Sequence, residues 1–583
     1  MFKGDFINNL GKIYALYTGG FAAFVVLLAI LEQVGVPNRV IGYLFVAFTI
    51  SIYALIGILS RTAQVSEYYV AGRRVPAVYN GMATASDWMS GASFVGMAGS
   101  LYVLGYDGLA FVLGWTGGYV LVAVLLAPYL RKFGAYTVPD FLGTRYEGNL
   151  ARTIGIIVLF CCSFTYVTAQ IYATGIIASR FLDIGFEVAV FVGLAGILVC
   201  SMLGGMRAVT WTQVAQYIVL IIAYLIPVII LSAKVTGVPI PQLMYGGVLE
   251  QITEIEKTIG VTKPHVIPFT NYDPLNFFAL IFCLMLGTAS LPHVLMRFFT
   301  TPSVKQARMS VGWALLFIFL LYFTAPAYAV FAKYEVLTNV IGQQIAALPA
   351  WVNAWGSIGL VTITDMNADG ILQWAELKLN NDIIVLATPE IAGLPYVIAG
   401  LVAAGGLAAA LSTADGLLLA IANALSHDVY YKMVNPQADT KRRLIVSRVL
   451  LVFVAVFAAW LASTKPADIL SMVAWAFSIA ASGLFPALVL GVWWKRTTKQ
   501  GAILGMFAGF TVCMIYLVGT RYMGMAEWFG VKNISAGLFG IPVGFIVTWI
   551  VSMMTPAPSA EMQGFIEKLR VPSGGTLIGT ETN

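Results

Sequence analysis

YNGMATASDWMSGASFVGMAGSLYV, residues 79–103, is an apolar run long enough to cross a bilayer, yet Ser86, Asp87, Ser90 and Gly91 stand in its middle. About 20 apolar residues in a helix span the hydrocarbon core. A carboxylate or an exposed stretch of backbone at that depth is costly and is tolerated chiefly where it lines a cavity. The stretch therefore reads as an interrupted membrane helix whose freed carbonyl oxygens are available to ligate a hard cation.

Outward from this stretch the chain keeps the same character. Of 583 residues 59% are apolar and 10% charged, and the mean hydropathy is +0.86, far from the soluble-globular range. Apolar runs predict about fourteen spans, near 13–34, 40–60, 79–103, 108–130, 153–180, 185–204, 211–233, 273–296, 309–332, 391–425, 444–464, 468–493, 501–520 and 536–555. The run at 391–425 exceeds one bilayer thickness and is expected to include an extension of its helix beyond the membrane. With an even number of spans, both termini lie on one side. Placing them inside puts 23 of the 33 Lys and Arg residues in inner segments, so both termini are expected in the cytoplasm of a bacterial inner membrane. The first span lacks a clear cleavage site and is expected to be retained.

Several function classes fall away. The net charge of +6 is dispersed between apolar runs rather than gathered in a basic patch, so nucleic acid is not an expected partner. There is no G-x-x-x-x-G-K-[ST] phosphate loop, and the polar tail after 555 is expected to hold no kinase. Cys161, Cys162, Cys200, Cys283 and Cys513 all sit in apolar runs without metal or disulfide spacing, and His265, His293 and His427 are scattered. No catalytic constellation appears, and the chain is not expected to be an enzyme.

One polar loop carries a motif of its own. DMNADGILQWAE, residues 365–376, has the spacing of an EF-hand calcium loop. Asp365, Asn367 and Asp369 would offer side chains, Gly370 the turn, Ile371 its carbonyl, Gln373 a water-mediated contact and Glu376 a bidentate closure. The expectation is one structural calcium ion that orders the loop.

Six ordered stretches carry a resemblance: YYVAGRRVP at 68–76, ASDWMSGASFVG at 85–96, TVPDFLGTRY at 137–146, GGMRAVTWTQVAQ at 204–216, GTASLPHVLMRF at 287–298 and LSTADGLLLAIANALSHDVY at 411–430. Together they resemble the sodium:solute symporter family over roughly residues 40–500, and within it the acetate and short monocarboxylate permeases. The resemblance implies an all-α polytopic membrane protein of the leucine-transporter type, with two inverted repeats of five helices and sites at the midplane where helices break. On that plan, residues 1–78 hold two peripheral helices, 79–235 the first repeat and 236–272 a periplasmic loop. Residues 273–493 hold the second repeat, including the periplasmic loop 333–390, and 494–555 two more peripheral helices, before a cytoplasmic tail at 556–583. The leading span is open to docking a small membrane partner subunit.

The resemblance also implies a sodium site built from the carbonyls of Ser86, Met89 and Ala409 and the hydroxyls of Ser412 and Thr413. Residue 409 lies three and four positions before 412 and 413, so these groups share one helix face. Two departures stand out. Related symporters carry Asp where this chain has Trp88, and many carry Asp where this chain has Gln213, which implies one sodium per cycle. Candidates for the solute are Ser90, Tyr166, Gln170, Thr288, Ser290 and Trp475, while Arg297 is expected near the cytoplasmic end as an anchor or gate. The expected function is sodium-driven import of a short monocarboxylate such as acetate, by alternating access. Alternatives are an amino acid or other small solute, a proton in place of sodium, or a transporter-like membrane sensor.

Overall fold

Helix starts follow from side chains that accept otherwise orphaned N–H groups. Asp273 takes the N–H of Asn276 at 2.9 Å, Ser303 that of Gln306 at 3.2 Å, Asp439 that of Arg442 at 3.1 Å and Asp468 that of Ser471 at 3.0 Å. The computed structural model describes residues 6–571 and 573–578, without the side chains of residues 199, 200 and 203, so Cys200 lies outside the described side chains. The other four cysteines are unpaired.

Among the described residues, eleven helices are long and apolar enough to cross a membrane. They become twelve with the pair Ile469–Gly483 and Phe485–Trp493, which bends by 41°. The sequence reading expects fourteen spans, and two glycines explain most of the difference. Helical winding runs on through two places where the hydropathy suggests a gap. Ala92–Phe133 reverses at Gly105 (φ 57°, ψ −130°), and Phe186–Thr236 turns at Gly205 (φ 53°, ψ −141°). Both angles suit glycine alone, and a Cβ on Gly105 would stand 2.3 Å from the His265 carbonyl oxygen.

Burial separates centre from periphery. In Tyr396–Asn423 every residue except Tyr396 and Ile398 is buried, so this helix is the axis of the bundle. Leu10–Gln33 buries only Leu10, Tyr14, Phe21 and Leu28, a single stripe laid against the rest. The axial helix continues in wider π winding to Val434. At 1.5 Å per residue the 28 α-helical residues alone run about 42 Å, well beyond the hydrocarbon thickness.

Both described chain ends lie on one face, called here the terminal face. The ring of Phe6 packs edge-on against Trp211 at 5.1 Å, the Leu577 N–H bonds the Lys132 carbonyl at 2.9 Å, and ion pair Arg207–Glu67 (2.7 Å) and hydrogen bond Arg73–Gly134 carbonyl (2.7 Å) lie between them. The opposite, loop face carries the helix Pro241–Thr258, a ribbon pairing Val361–Ile363 with Leu377–Leu379, and the short helix Ile384–Ile391. The helix Val304–Asn339 runs seven residues past the span end expected at 332, so it takes up the start of the loop placed at 333–390.

Candidate functional site

Two helices break at the centre of the bundle. The first is Ala77–Trp88, which ends at Met89 (φ −75°, ψ 64°) and restarts beyond Gly91. The second is Pro274–Thr288, which gives way to Pro292–Phe299 after an extended Leu291 (φ −66°, ψ 119°). Pro292 cannot donate an N–H and holds the residue before it out of the helical region.

The axial helix brings hydroxyls to the first break. Ser412 Oγ lies 2.7 Å from the Ser86 carbonyl and 2.8 Å from the Ala409 carbonyl. Thr413 Oγ1 lies 2.8 Å from the Asp87 carbonyl and 3.3 Å from that of Ala409. Four of the five residues named from the sequence for sodium therefore converge from segments more than 300 residues apart. Met89 sits at the break itself, and the Asp87 carbonyl, which the sequence reading did not include, joins the set. Turned toward a cation, the two hydroxyls and these carbonyls form an all-oxygen cage of the kind that helix breaks provide for sodium. Gln213 donates Nε2 to the Ser412 carbonyl at 2.8 Å and braces this wall.

Next to the cage lies a charge pair. Asp87 Oδ2 meets Arg297 Nε at 3.0 Å, with both side chains wholly buried, and Arg297 Nη1 also reaches Thr210 Oγ1 at 3.1 Å. Arg297 is thus a partner of the first broken helix rather than an anchor at the membrane edge. The helix Pro292–Phe299 is a half-length segment, so its sixth residue is still inside the protein.

The solute candidates divide. Gln170 Oε1 accepts the Gly91 N–H at 2.7 Å where the first broken helix restarts. Tyr166 stands edge-on to His293, with centroids 5.4 Å apart, and packs on Phe477, which also contacts Trp88 and Trp115. Ser90 is buried at the break. Thr288 and Ser290 spend their hydroxyls on their own helix, on the Leu284 carbonyl at 2.7 Å and the Leu286 carbonyl at 2.9 Å. Trp475 is a correction: its Nε1 donates to Asn533 Oδ1 at 2.8 Å and its ring lies beneath Arg521, among the C-terminal helices. Two residues on, about 200° around the helix, Phe477 takes the central position instead.

Several buried polar atoms around the breaks have no hydrogen-bond partner: Ser86 Oγ, Gln170 Nε2, both ring nitrogens of His293, and Arg297 Nη2. Each such group costs about 1–3 kcal/mol when left unsatisfied. Gathered at two helix breaks, they suit contact with a polar solute and a cation. Reading the sequence missed His293, whose signal was its place directly after the Pro292 that breaks the helix.

The EF-hand-like loop has its turn in place, with Gly370 at φ 73° and Leu372 buried beneath it. Asp365 Oδ2 accepts the Gly370 N–H at 3.1 Å. Asp369 accepts the Ile371 N–H at 2.8 Å as well as the amides of Asn367 and Gln373. The Ile371 N–H, more than the two amides, holds the Asp369 carboxyl below its ordinary range. Glu376 closes on the Met366 and Gln373 N–H groups at 2.8 and 2.9 Å.

With this geometry in hand, comparison with known proteins gives three findings. The sequence model of the sodium:solute symporter family matches residues 68–509. An uncharacterized symporter of Cupriavidus necator is 45% identical, across 97% of this chain and 99% of its own length. A substrate-bound, outward-open sodium-coupled sialic acid symporter has a similar fold, with a TM-score of 0.67 at 17% identity, covering 89% of this chain and 99% of that one.

Proposed function

Because the chain belongs to the sodium:solute symporter family, we propose that it imports a short monocarboxylate such as acetate together with one sodium ion per cycle. The observation that carries this reading is the meeting of the Ser412 and Thr413 hydroxyls with the carbonyls of Ser86, Asp87 and Ala409 at a helix break. Sodium bound there, with Met89 completing the cage, would tie the axial helix to the first broken helix. In this reading the fold is two inverted repeats of five helices, about 79–235 and 273–493, with fourteen crossings and peripheral helices at both ends. The terminal face is cytoplasmic, in keeping with the Lys and Arg bias, and the loop face is outside.

A small carboxylate suits the rest of the centre. The unsatisfied donors on Gln170, His293 and Arg297 favour an anion, as does the N-terminus of the half-helix Pro292–Phe299. Ring contacts among Trp88, Trp115, Tyr166 and Phe477 place an apolar aromatic wall beside these donors, which suits the short alkyl part of such a solute. In proteoliposomes, an inward sodium gradient is expected to accumulate labelled acetate, whereas a proton gradient alone does not. Failure of both gradients would remove acetate as cargo, and competition by unlabelled amino acids would transfer the site to them.

The reading includes a calcium ion in the outer loop, held by Asp365, Asn367, Asp369, Ile371, Gln373 and Glu376, with an affinity of about 10⁻⁴–10⁻³ M as in extracellular modules. Terbium luminescence of the purified protein, excited through the adjacent Trp374, is expected to weaken about tenfold or more in Asp365→Asn and in Glu376→Gln. Unchanged terbium binding in both variants would remove the ion from this loop.

A further inference from the structure

We propose that Asp382 is a proton-binding site that must be filled for the outer loop to close over the transport path, a device separate from sodium coupling. Asp382 lies in the turn Asn381–Ile383, which is driven into the bundle at its outer end. The turn sits so close that a Cβ on Gly99 would lie 1.8 Å from the Asn381 carbonyl oxygen, and one on Gly96 would touch Leu470 and approach Asp382 Oδ1. Gly96 and Gly99 belong to the outer half of the first broken helix, and Leu470 to the helix Ile469–Gly483. The turn therefore wedges between two elements of the transport core.

Within that wedge the carboxyl group has almost nothing to hold a negative charge. Asp382 is wholly buried, its Oδ1 has no hydrogen-bond partner, and its Oδ2 receives only a long contact from the Ile469 N–H at 3.4 Å. Its acidic neighbour Asp468 is satisfied, capping its helix through the Ser471 N–H at 3.0 Å and hydroxyl at 2.6 Å. An ionised Asp382 would face a second carboxylate with no cation between them. The titratable groups facing it are Asp468 and Tyr172. The segment 92–104 adds only Tyr102, and the helix Ile384–Ile391 only Glu390, which is tied to Arg180 at 2.9 Å. The closed turn thus accommodates a neutral Asp382, and lifting it into water releases the proton.

Burial, and then the charge of Asp468, push the Asp382 carboxyl up to about 8 in the closed structure, against roughly 3.9 for an exposed Asp. The closed state binds the extra proton, so closure is most favoured below the open-state value of roughly 4. It loses about a factor of ten per pH unit above that and gains nothing further from Asp382 beyond about 8. Over that window an external pH rise opens the outer mouth.

The test places a cysteine under the wedge, Leu470→Cys, and reads its reaction with a membrane-impermeant maleimide from outside, after subtracting the rate of the matching protein that keeps Leu470. The ratio of rates in Leu470→Cys and in Leu470→Cys/Asp382→Asn cancels the thiol's own ionisation. That ratio is expected to climb by up to about tenfold per pH unit between pH 5 and 8 and then level off. Adding Asp468→Asn to the first protein is expected to move the plateau to lower pH, and it supplies the reading if the Asp382 variant does not fold. A ratio flat with pH, or a plateau that Asp468→Asn leaves in place, overturns the proposal. Labelling requires no transport, so loss of sodium-driven uptake would count against the symport reading alone.

Discussion

Replacing Ser412 and Thr413 together by Ala is expected to abolish sodium-driven uptake while leaving the protein folded. Among the described residues, the two hydroxyls are the only side-chain oxygens placed on the carbonyls of Ser86, Asp87 and Ala409, at 2.7–3.3 Å. Hydrogen bonds and contacts to charged species contribute about 1.5–3 kcal/mol each, so losing both weakens sodium binding by roughly 3–6 kcal/mol, a hundredfold or more. The cost to folding is smaller, because each Ala removes a neutral contact within a helix that remains packed by small residues. Sodium-dependence of uptake and a sodium-induced rise in melting temperature should disappear together. Ser412→Thr and Thr413→Ser keep the oxygens and are expected to retain both. Undiminished sodium dependence in the double Ala variant would move the ion elsewhere.

The second large effect is expected at the buried pair. In Arg297→Met, Asp87 loses its ion-pair partner inside the bundle, and breaking a buried pair from one side costs about 3–5 kcal/mol. Asp87→Asn/Arg297→Met leaves no unpaired charge and is expected to recover most of that loss, since paired buried charges are often close to neutral in net stability. Melting temperatures of the two single variants and the double variant form the cycle that measures this. Simple additivity of the single effects would show that the two residues do not act as a pair. Both variants with a changed Arg297 are expected to transport poorly even where stability returns, because the guanidinium is part of the central donor set.

The sequence makes some of this legible and hides the rest for physical reasons. An Asp and a Gly inside an apolar run announce a broken helix, because lipid penalises both, and the break at Met89 is where that reasoning puts it. Ser412 and Thr413 are reachable by helical spacing from Ala409, but their meeting with residues 86–87 is a tertiary fact, brought into view only through family resemblance. Trp475 and Phe477 show the limit of a pattern: both are aromatic residues in one apolar helix, and only packing decides which of two opposed faces looks inward. The count of spans departs from the hydropathy at Gly105 and Gly205, where one residue in an unusual conformation turns the chain without ending the helical winding. Scattered histidines suggest no cluster in the sequence, and what sets His293 apart is structural: it follows the Pro292 that breaks the helix, with both ring nitrogens buried and unsatisfied.

The axial helix sets how a small event at the centre is felt far away. Between Tyr396 and Asn423 it has no joint, so it is stiff from Ser412 and Thr413 to Asn423, and in the wider winding that follows Asp428 accepts from Thr137 at 2.6 Å and pairs with Arg152 at 3.3 Å. The neighbouring broken helices are the jointed parts beside it, and the Asp428 contacts form a clasp at its far end. The looser winding of Ala424–Val434 puts the give in the linkage at the clasp end. The hydroxyl pair at the centre and the clasp on the terminal face are two stations on one continuous helix.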